Sequence, residues 1–259
     1  LTSGGAQRQM LVLSNLLCER GYDITIITYH PHDFYRSLLD ERIKYIYVAE
    51  ARNVLQRIPS IFRVLFRLEP DVVISYLDVP NIIACICKLL GLKYKLIVSE
   101  RNTTQNLSNR ERIKFLLYRK ADVIIPNSYT QSEVINKYYP CYKSKIITIT
   151  NCADLDYFVP NNVLKKEQNT ILCVGRVTPQ KNLIRFIEAV SMARIMGVNV
   201  TVKWFGRKDE GYFEECKQAV NKYGLSDHFL FYDASQDIRS EYQRAGVFCL
   251  PSLYEGFPN

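Results

Sequence analysis

Residues 171–190 read I-L-C-V-G-R-V-T-P-Q-K-N-L-I-R-F-I-E-A-V. Four apolar residues, Ile171 to Val174, run out at Gly175. Thr178 suits a helix N-cap and Pro179 the first helical position, so the spacing predicts a helix over 179–196. A wholly apolar strand feeding directly into a helix is half of a βαβ unit, the building block of a parallel sheet. The same stretch raises a question of charge. Arg176 and Lys181 flank the predicted helix N-terminus, where the macrodipole is already positive and each added cation costs about 0.3–1 kcal/mol. A bound anion would offset that cost, because free N–H groups with two cations make a phosphate site. The competing reading is that both side chains simply reach solvent.

Outward from this stretch the strand–helix rhythm repeats in both directions. Upstream, the short β-branched runs 23–28, 71–76, 95–99, 122–126 and 145–150 alternate with helical lengths at 6–20, 54–68, 80–90, 110–120 and 131–139. That alternation predicts a doubly wound α/β domain. A loop-like N-C-A-D-L-D-Y-F-V-P-N-N then interrupts it, and the rhythm restarts with strands at 171–175, 200–205, 229–232 and 247–250 and helices at 179–196, 212–223 and 238–245. Two α/β domains are expected, 1–160 and 161–259, with a linker near 151–168. The 259 residues suit that division.

Composition narrows the partners. No apolar run approaches the roughly 18 residues needed to span a bilayer. Cys18, Cys85, Cys87, Cys173 and Cys249 lie in apolar stretches, with no C-x-x-C pair and no zinc spacing, which points to the cytosol and to neither a disulfide framework nor a structural metal. The net charge of +8 is uneven: 93–120 holds eight Lys/Arg against two Glu. An anionic partner on that side is expected, and nucleic acid is excluded by the absence of helix-turn-helix, RNP or zinc-finger signatures. A second basic stretch sets Arg52, Arg63 and Arg67 against Val54, Leu55, Ile58, Ile61, Phe62, Leu65 and Phe66. As an isolated peptide it would look membrane-active, but a helix packed on a sheet shows the same apolar stripe, and core packing is the favoured reading.

Two further stretches sit at strand ends or helix starts. Ser3-Gly4-Gly5 leads into the first helix, where glycine lets backbone approach a ligand closely. Y-E-G-F-P-N follows the strand 247–250, which puts Glu255 at a carboxyl edge. Asp154 and Asp156 form a D-x-D, a pattern that elsewhere holds a divalent cation on a nucleotide sugar, but the linker is not its usual setting.

The set G-G-A-Q-R, G-R-V-x-x-Q-K-N and S-L-Y-E-G-F-P, with S-E-R-N after a strand and I-T-N-C-A-D-L-D-Y-F in the linker, resembles the retaining glycosyltransferases of family 4. The resemblance covers essentially the whole chain. It implies the GT-B arrangement, two Rossmann-like domains facing a cleft, and a reaction that moves a sugar from a nucleotide-diphosphate donor with retention. It implies that Arg176 and Lys181 hold the donor diphosphate and that Gly4 and Gly5 approach the same phosphates. Glu255 matches the first of the family's paired glutamates, which meets the transferred sugar, and Gly256, Phe257 and Pro258 complete that motif. Gly206 belongs to the donor side, and Glu100, Arg101 and Asn102 to the acceptor side. No metal or other cofactor is implied.

The same comparison marks departures. Arg101 stands where many relatives carry His, and His30, His32 and His228 do not replace it. G-R-K-D (206–209) replaces a usual G-x-G-P, and Asp233 replaces a common Gly, so the donor base stays open. The ends match interior parts of the family pattern, which implies a first-domain strand before Leu1 and a second glutamate beyond Asn259. The chain on its own is therefore expected to be loosely packed and inactive. The acceptor implied is a glycan or a polyprenyl-diphosphate-linked glycan for cell-surface polysaccharide, met at the inner face of the membrane by a protein held peripherally on its anionic surface. Two other readings are a non-catalytic remnant that binds sugar nucleotide or anionic lipid, and a nucleotide-sugar epimerase or phosphorylase on the same fold.

Overall fold

A computed structural model describes residues 1–48, 53–161 and 163–257. The chain divides into two compact units, one of 1–152 with 255–259 and the other of 153–254. Arg52 and Pro258 lie outside the described residues, as does the side chain of Val54.

The first unit runs α1 (Gly5–Glu19), β1 (Thr25–Thr28), β2 (Lys44–Tyr47), α2 (Val54–Leu68), β3 (Val72–Tyr76), α3 (Asp78–Leu89), β4 (Lys95–Glu100), α4 (Asn109–Leu117), β5 (Val123–Pro126) and α5 (Tyr129–Tyr138). Side-chain oxygens start three of these helices: Asn53 accepts from Gln56 N–H (3.0 Å), Ser108 from Glu111 N–H (3.3 Å) and Ser128 from Gln131 N–H (3.2 Å). All pairing is parallel, but among the described residues the strands form two sheets, β1-β2 and β3-β4-β5. What joins them is packing: Ile27, Tyr29, Ile46 and Val48 belong to the same core as Leu96, Val98 and Ile124. Those three inner-strand residues are fully buried, together with Phe115, Tyr118 and Ile135 from the flanking helices.

Two sequence expectations change here. Strand β2 was not foreseen, because K-Y-I-Y has no apolar run and becomes a strand only by pairing with β1. Residues 145–150 were expected as a strand; they touch β5 by one bridge at Ile146 and by the N–H groups of Ile147 and Ile149 (3.0 and 3.1 Å) and continue no ladder.

A polar network sits inside this apolar core. Asn81, fully buried, accepts from Ser75 Oγ (2.7 Å) and donates to Ser99 O (3.1 Å) and to Tyr118 Oη (2.9 Å). Tyr118 donates in turn to Glu100, whose carboxylate also accepts from Lys114 Nζ (3.0 Å) and from Gln131 Nε2 (3.4 Å). Lys114 is shared with Asp78 (3.1 Å) and Glu111 (2.8 Å). Burial raises the Glu100 carboxyl above its ordinary value, opposed chiefly by the Lys114 charge.

The second unit runs β6 (Glu167–Val174), α6 (Leu183–Ile195), β7 (Thr201–Phe205), α7 (Glu210–Lys222), β8 (Phe229–Tyr232), α8 (Arg239–Arg244) and β9 (Ala245–Phe248). Its sheet is parallel in the order β8-β7-β6-β9. Cys173, Val202, Trp204, Leu183 and Ile187 fill the core between this sheet and its helices. The order reverses at β6: the chain leaves toward β7 and β8 and comes back to pair on the other side as β9. Parallel α/β sheets leave a crevice at the carboxyl ends of two strands so related.

Removing Lys114 should show what its network carries. Lys114→Met leaves the Glu100 charge buried without its counter-charge and should cost about 3–5 kcal/mol. Adding Glu100→Gln should return most of it, both read from urea unfolding.

Candidate active site

At the reversal point, β6 ends against β7 with no space between the backbones. Trp204 Nε1 donates to Gly175 O (2.8 Å), and Gly206 N–H donates to Tyr232 O (3.2 Å). A Cβ on Gly206 would lie 2.0 Å from Gly175 O, so only glycine fits there. A Cβ on Gly175 would meet Lys181 Cε at 3.2 Å, which shows that the lysine stem lies along this glycine. Arg176 follows directly and is exposed. The two cations singled out in the sequence are thus set at the carboxyl end of one central strand, with bare backbone beside them.

The element carrying Lys181 differs from the expected helix. Residues 179–181 form a tight 3-10 turn, closed by Lys181 N–H to Thr178 O and Asn182 N–H to Pro179 O (2.9 Å each). Asn182 is left-handed (φ 59°), and α6 starts only at Leu183. Thr178 makes no side-chain cap, and its buried Oγ1 has no partner among the described residues.

The reason lies across the reversal point. Gln180 O accepts from Leu253 N–H (2.9 Å), Gln180 Nε2 donates to Tyr254 O (2.9 Å), and Asn182 Nδ2 donates to Pro251 O (3.2 Å). The turn is therefore shaped to carry the loop that follows β9. Gln180 and Asn182 were missed in the sequence reading, because an amide side chain gives no local sign of a partner about seventy residues away. Beneath these loops Cys173 and Cys249 are neighbours on β6 and the end of β9, with Cys249 N–H bonded to Leu172 O (2.9 Å). The Cys173 thiol donates to Cys249, pulling the latter down to about 7, while Cys173 itself is pushed up.

Gly206–Asp209 and Asp233, two departures noted separately, meet here: Lys208 Nζ pairs with Asp233 Oδ1 (2.8 Å). Asp154 Oδ1 accepts from the N–H groups of Asp156 and Tyr157 (3.0 and 2.9 Å), the bonding of a turn. Among the described residues no three His, Cys, Asp or Glu side chains are grouped to hold a metal. An open depression of about 580 Å³ lined by Lys165 to Thr170 lies at the opposite, amino end of β6 and has no part in this site.

In the first unit, α1 begins at Gly5 with Gly4 as an extended N-cap that contributes no side chain. Glu100 is only 1% exposed and bonded inward, so its carboxylate belongs to the buried network and does not reach the surface. Arg101 leaves that network: its guanidinium lies over the Tyr76 ring (4.7 Å), and Nη1 donates to Asn151 Oδ1 (2.7 Å). Burial lowers its pKa. Asn102 is exposed. Glu255, Gly256 and Phe257 belong to this unit. Thr103 Oγ1 donates to Glu255 O (3.2 Å), Asn151 Nδ2 donates to Phe257 O (2.7 Å), and a Cβ on Gly256 would lie 2.9 Å from Asn127 Oδ1.

Two family models cover this chain: Glycosyltransferase Family 4 matches residues 3–157 and Glycosyl transferases group 1 matches 158–259. The chain belongs to glycosyltransferase family 4. Among curated relatives it is similar to the Campylobacter jejuni GalNAc-alpha-(1->4)-GalNAc-alpha-(1->3)-diNAcBac-PP-undecaprenol alpha-1,4-N-acetyl-D-galactosaminyltransferase. The two are 28% identical over 100% of this chain and 72% of that protein. It is 23% identical to the amylovoran biosynthesis glycosyltransferase AmsD of Erwinia amylovora, over 99% of this chain and 73% of the other. Among solved structures, Anabaena Alr3699/HepE in complex with UDP and glucose superposes with a TM-score of 0.80 at 15% identity, over 98% of this chain and 73% of that one. The glycosyltransferase therefore has the GT-B type of fold, built from two Rossmann-like units. The two family models meet at 157/158, close to the division at 152/153 seen in the structure.

The Cys173–Cys249 pair gives the site a pH-dependent signature. Alkylation of Cys249 should rise through a midpoint at about pH 7. Cys173→Ala, which removes the donor, should move that midpoint up toward the ordinary thiol value, as followed by peptide mass spectrometry.

Proposed function

We propose that this glycosyltransferase moves a sugar, with retention, from a nucleotide-diphosphate sugar to a glycan carried on a polyprenyl diphosphate, and that it does so without a metal. The observation that carries the reading is the pairing of Arg176 and Lys181 beside the glycine-lined carboxyl end of β6. Breaking the bond between sugar and diphosphate leaves negative charge on the departing phosphate. Fixed cations stabilise that charge without reorganising at the moment of reaction, and such preorganised groups contribute most where water is excluded. Gly175 leaves bare backbone beside the Lys181 stem where a side chain would crowd the phosphates, and Gly206 lets β7 pack directly against that backbone. With two cations in place of a divalent ion, and with Asp154 engaged in its turn, no metal is required. Glu255 meets the transferred sugar on this reading. The acceptor class is supported by the Campylobacter protein, whose name specifies an undecaprenyl-diphosphate-linked glycan, and by the amylovoran enzyme. The donor class is supported by the Anabaena protein, solved with UDP and glucose.

Lys181→Ala should lower the transfer rate by about 10²-fold or more, measured with nucleotide sugar and a lipid-linked acceptor, and EDTA should leave the unmodified protein's rate unchanged. A normal rate in Lys181→Ala would remove the diphosphate role.

An acceptor on a lipid carrier calls for a surface that meets anionic membrane. Of the eight Lys/Arg in 93–120, Lys114 is buried in its ion pairs and Arg101 is stacked on Tyr76. The other six, Lys93, Lys95, Arg110, Arg112, Arg119 and Lys120, are exposed, while Glu100 is buried and Glu111 is turned onto Lys114. The surface surplus is thus undiminished by folding. Exposed Ile113 and Leu116 on α4, and Leu55 and Phe66 beside Arg63 and Arg67 on α2, add apolar contact. Among the described residues no helix is long and apolar enough to cross a membrane. Binding to phosphatidylserine-containing vesicles should therefore occur at low salt and release as ionic strength approaches about 1 M, where the Debye length is about 3 Å. Binding that is indifferent to salt would assign it to the apolar residues of α2.

A further inference from the structure

The loop that carries Glu255 has no regular secondary structure, yet two side chains of the first unit, Thr103 and Asn151, hold its backbone. We propose that Arg101 and Asn151 act together as positioning residues for that loop, Arg101 setting the orientation of the Asn151 amide and Asn151 holding Phe257 O. The inference rests on the reading that Glu255 takes part in sugar transfer.

The argument turns on what each group can donate and accept. A guanidinium has only donors, whereas the two ends of an asparagine amide differ, one accepting and one donating. Arg101 Nη1 at 2.7 Å can be satisfied only by the Asn151 oxygen. Once that end is taken, the Nδ2 end is the one left facing Phe257 O, also at 2.7 Å, where it is the correct partner for a carbonyl. With an acceptor or an apolar group in place of Arg101, the bond to Phe257 O alone would oppose turning over of the amide, which would set its oxygen against the Phe257 oxygen. Arg101 is itself immobilised over the Tyr76 ring at the end of β3 and follows directly from β4. The sheet therefore fixes the arginine, the arginine fixes the amide, and the amide fixes the loop two residues beyond Glu255. Thr103 also holds Glu255 O (3.2 Å), and a Cβ on Gly256 would crowd the Asn127 amide at 2.9 Å. This account gives the arginine of S-E-R-N a task that a histidine at the same place would meet less securely, because a neutral imidazole can present an acceptor as well as a donor.

The test needs a readout that general destabilisation would not move. The backbone order parameter of Gly256, from ¹⁵N relaxation of the full chain without substrate, should fall from the rigid range near ~0.85 to below ~0.6 in Asn151→Ala, while that of Ile187 in α6 stays unchanged. Arg101→Ala should produce the same kind of loss, and Arg101→Ala in the Asn151→Ala background should add nothing. In turnover, Asn151→Ala should lower kcat by about 10- to 100-fold, with donor KM changed no more than about twofold. A Gly256 amide that stays rigid in Asn151→Ala, or losses from the two variants that simply add, would overturn the proposal. Glu255→Gln tests the functional reading apart from it. Normal turnover in that variant would take Glu255 out of the reaction and leave the relaxation result standing.

Discussion

The reversal of strand order at β6 is the constraint on which the rest of the second unit depends. Because β7 and β9 flank β6 on opposite sides, the segments leaving β6 and β9 rise from adjacent strands and part from one another. A parallel sheet cannot close that gap with a hairpin, since its connections must cross over. The gap is bridged by side-chain and backbone bonds from Gln180 and Asn182 to residues 251–254. Those bonds take the place of a regular helix start and leave Lys181 on a tight turn above Gly175. Gly206 then becomes obligatory for a steric reason, the 2.0 Å approach to Gly175 O, before any ligand is considered.

In the first unit the corresponding role falls to charge buried within the core. Glu100 ends β4 with its carboxylate enclosed by Lys114, Tyr118 and Gln131, which come from α4, the turn after it and α5. A buried ion pair is weak evidence for stability, because desolvating both charges offsets most of their attraction. What it does supply is direction. A carboxylate with three donors converging from separate elements admits one arrangement of those elements. Arg101, the next residue, points the other way because side chains alternate along a strand. Its cation–π stack on Tyr76 and its bond to Asn151 thus start from a backbone that the Glu100 network holds in place.

Much of this was legible in the sequence, and the parts that were not share a cause. Ile171–Val190 identified the parallel fold because its strand is apolar on both faces, and Arg176 and Lys181 stood out because local stability would not choose them. The helix start at Thr178-Pro179 obeyed local capping rules and was still displaced to Leu183, since the three bonds to 251–254 reward a turn there. Residues 145–150 had strand composition but gained bonds from β5 on one side only, whereas Lys44–Tyr47 had little strand character and gained a full register with β1. Glu100 was placed on the acceptor side by its motif, and only Lys114, Tyr118 and Gln131, all distant in the chain, enclose it. Asn151 looked like linker, and both of its partners are far away in the chain. In each case the deciding partner is remote, which neither propensity nor periodicity can register.

The Lys208–Asp233 pair shows how such remote coupling disguises itself as two independent changes. Lys208 lies just past β7 and Asp233 just past β8, neighbouring strands whose carboxyl ends open on the same edge as β6. A lone lysine at 208 would add a further unbalanced cation to an edge that already carries Arg176 and Lys181, and a lone aspartate at 233 would subtract from them. Together they cancel. Asp233 is 89% exposed, so a pair of this kind contributes little to folding, typically about 0–1 kcal/mol. Its consequence is electrostatic: with Arg207 likewise facing Asp209 (3.7 Å), the net positive charge at this edge remains that of the two cations beside Gly175, even though the loops around them have changed their chemistry.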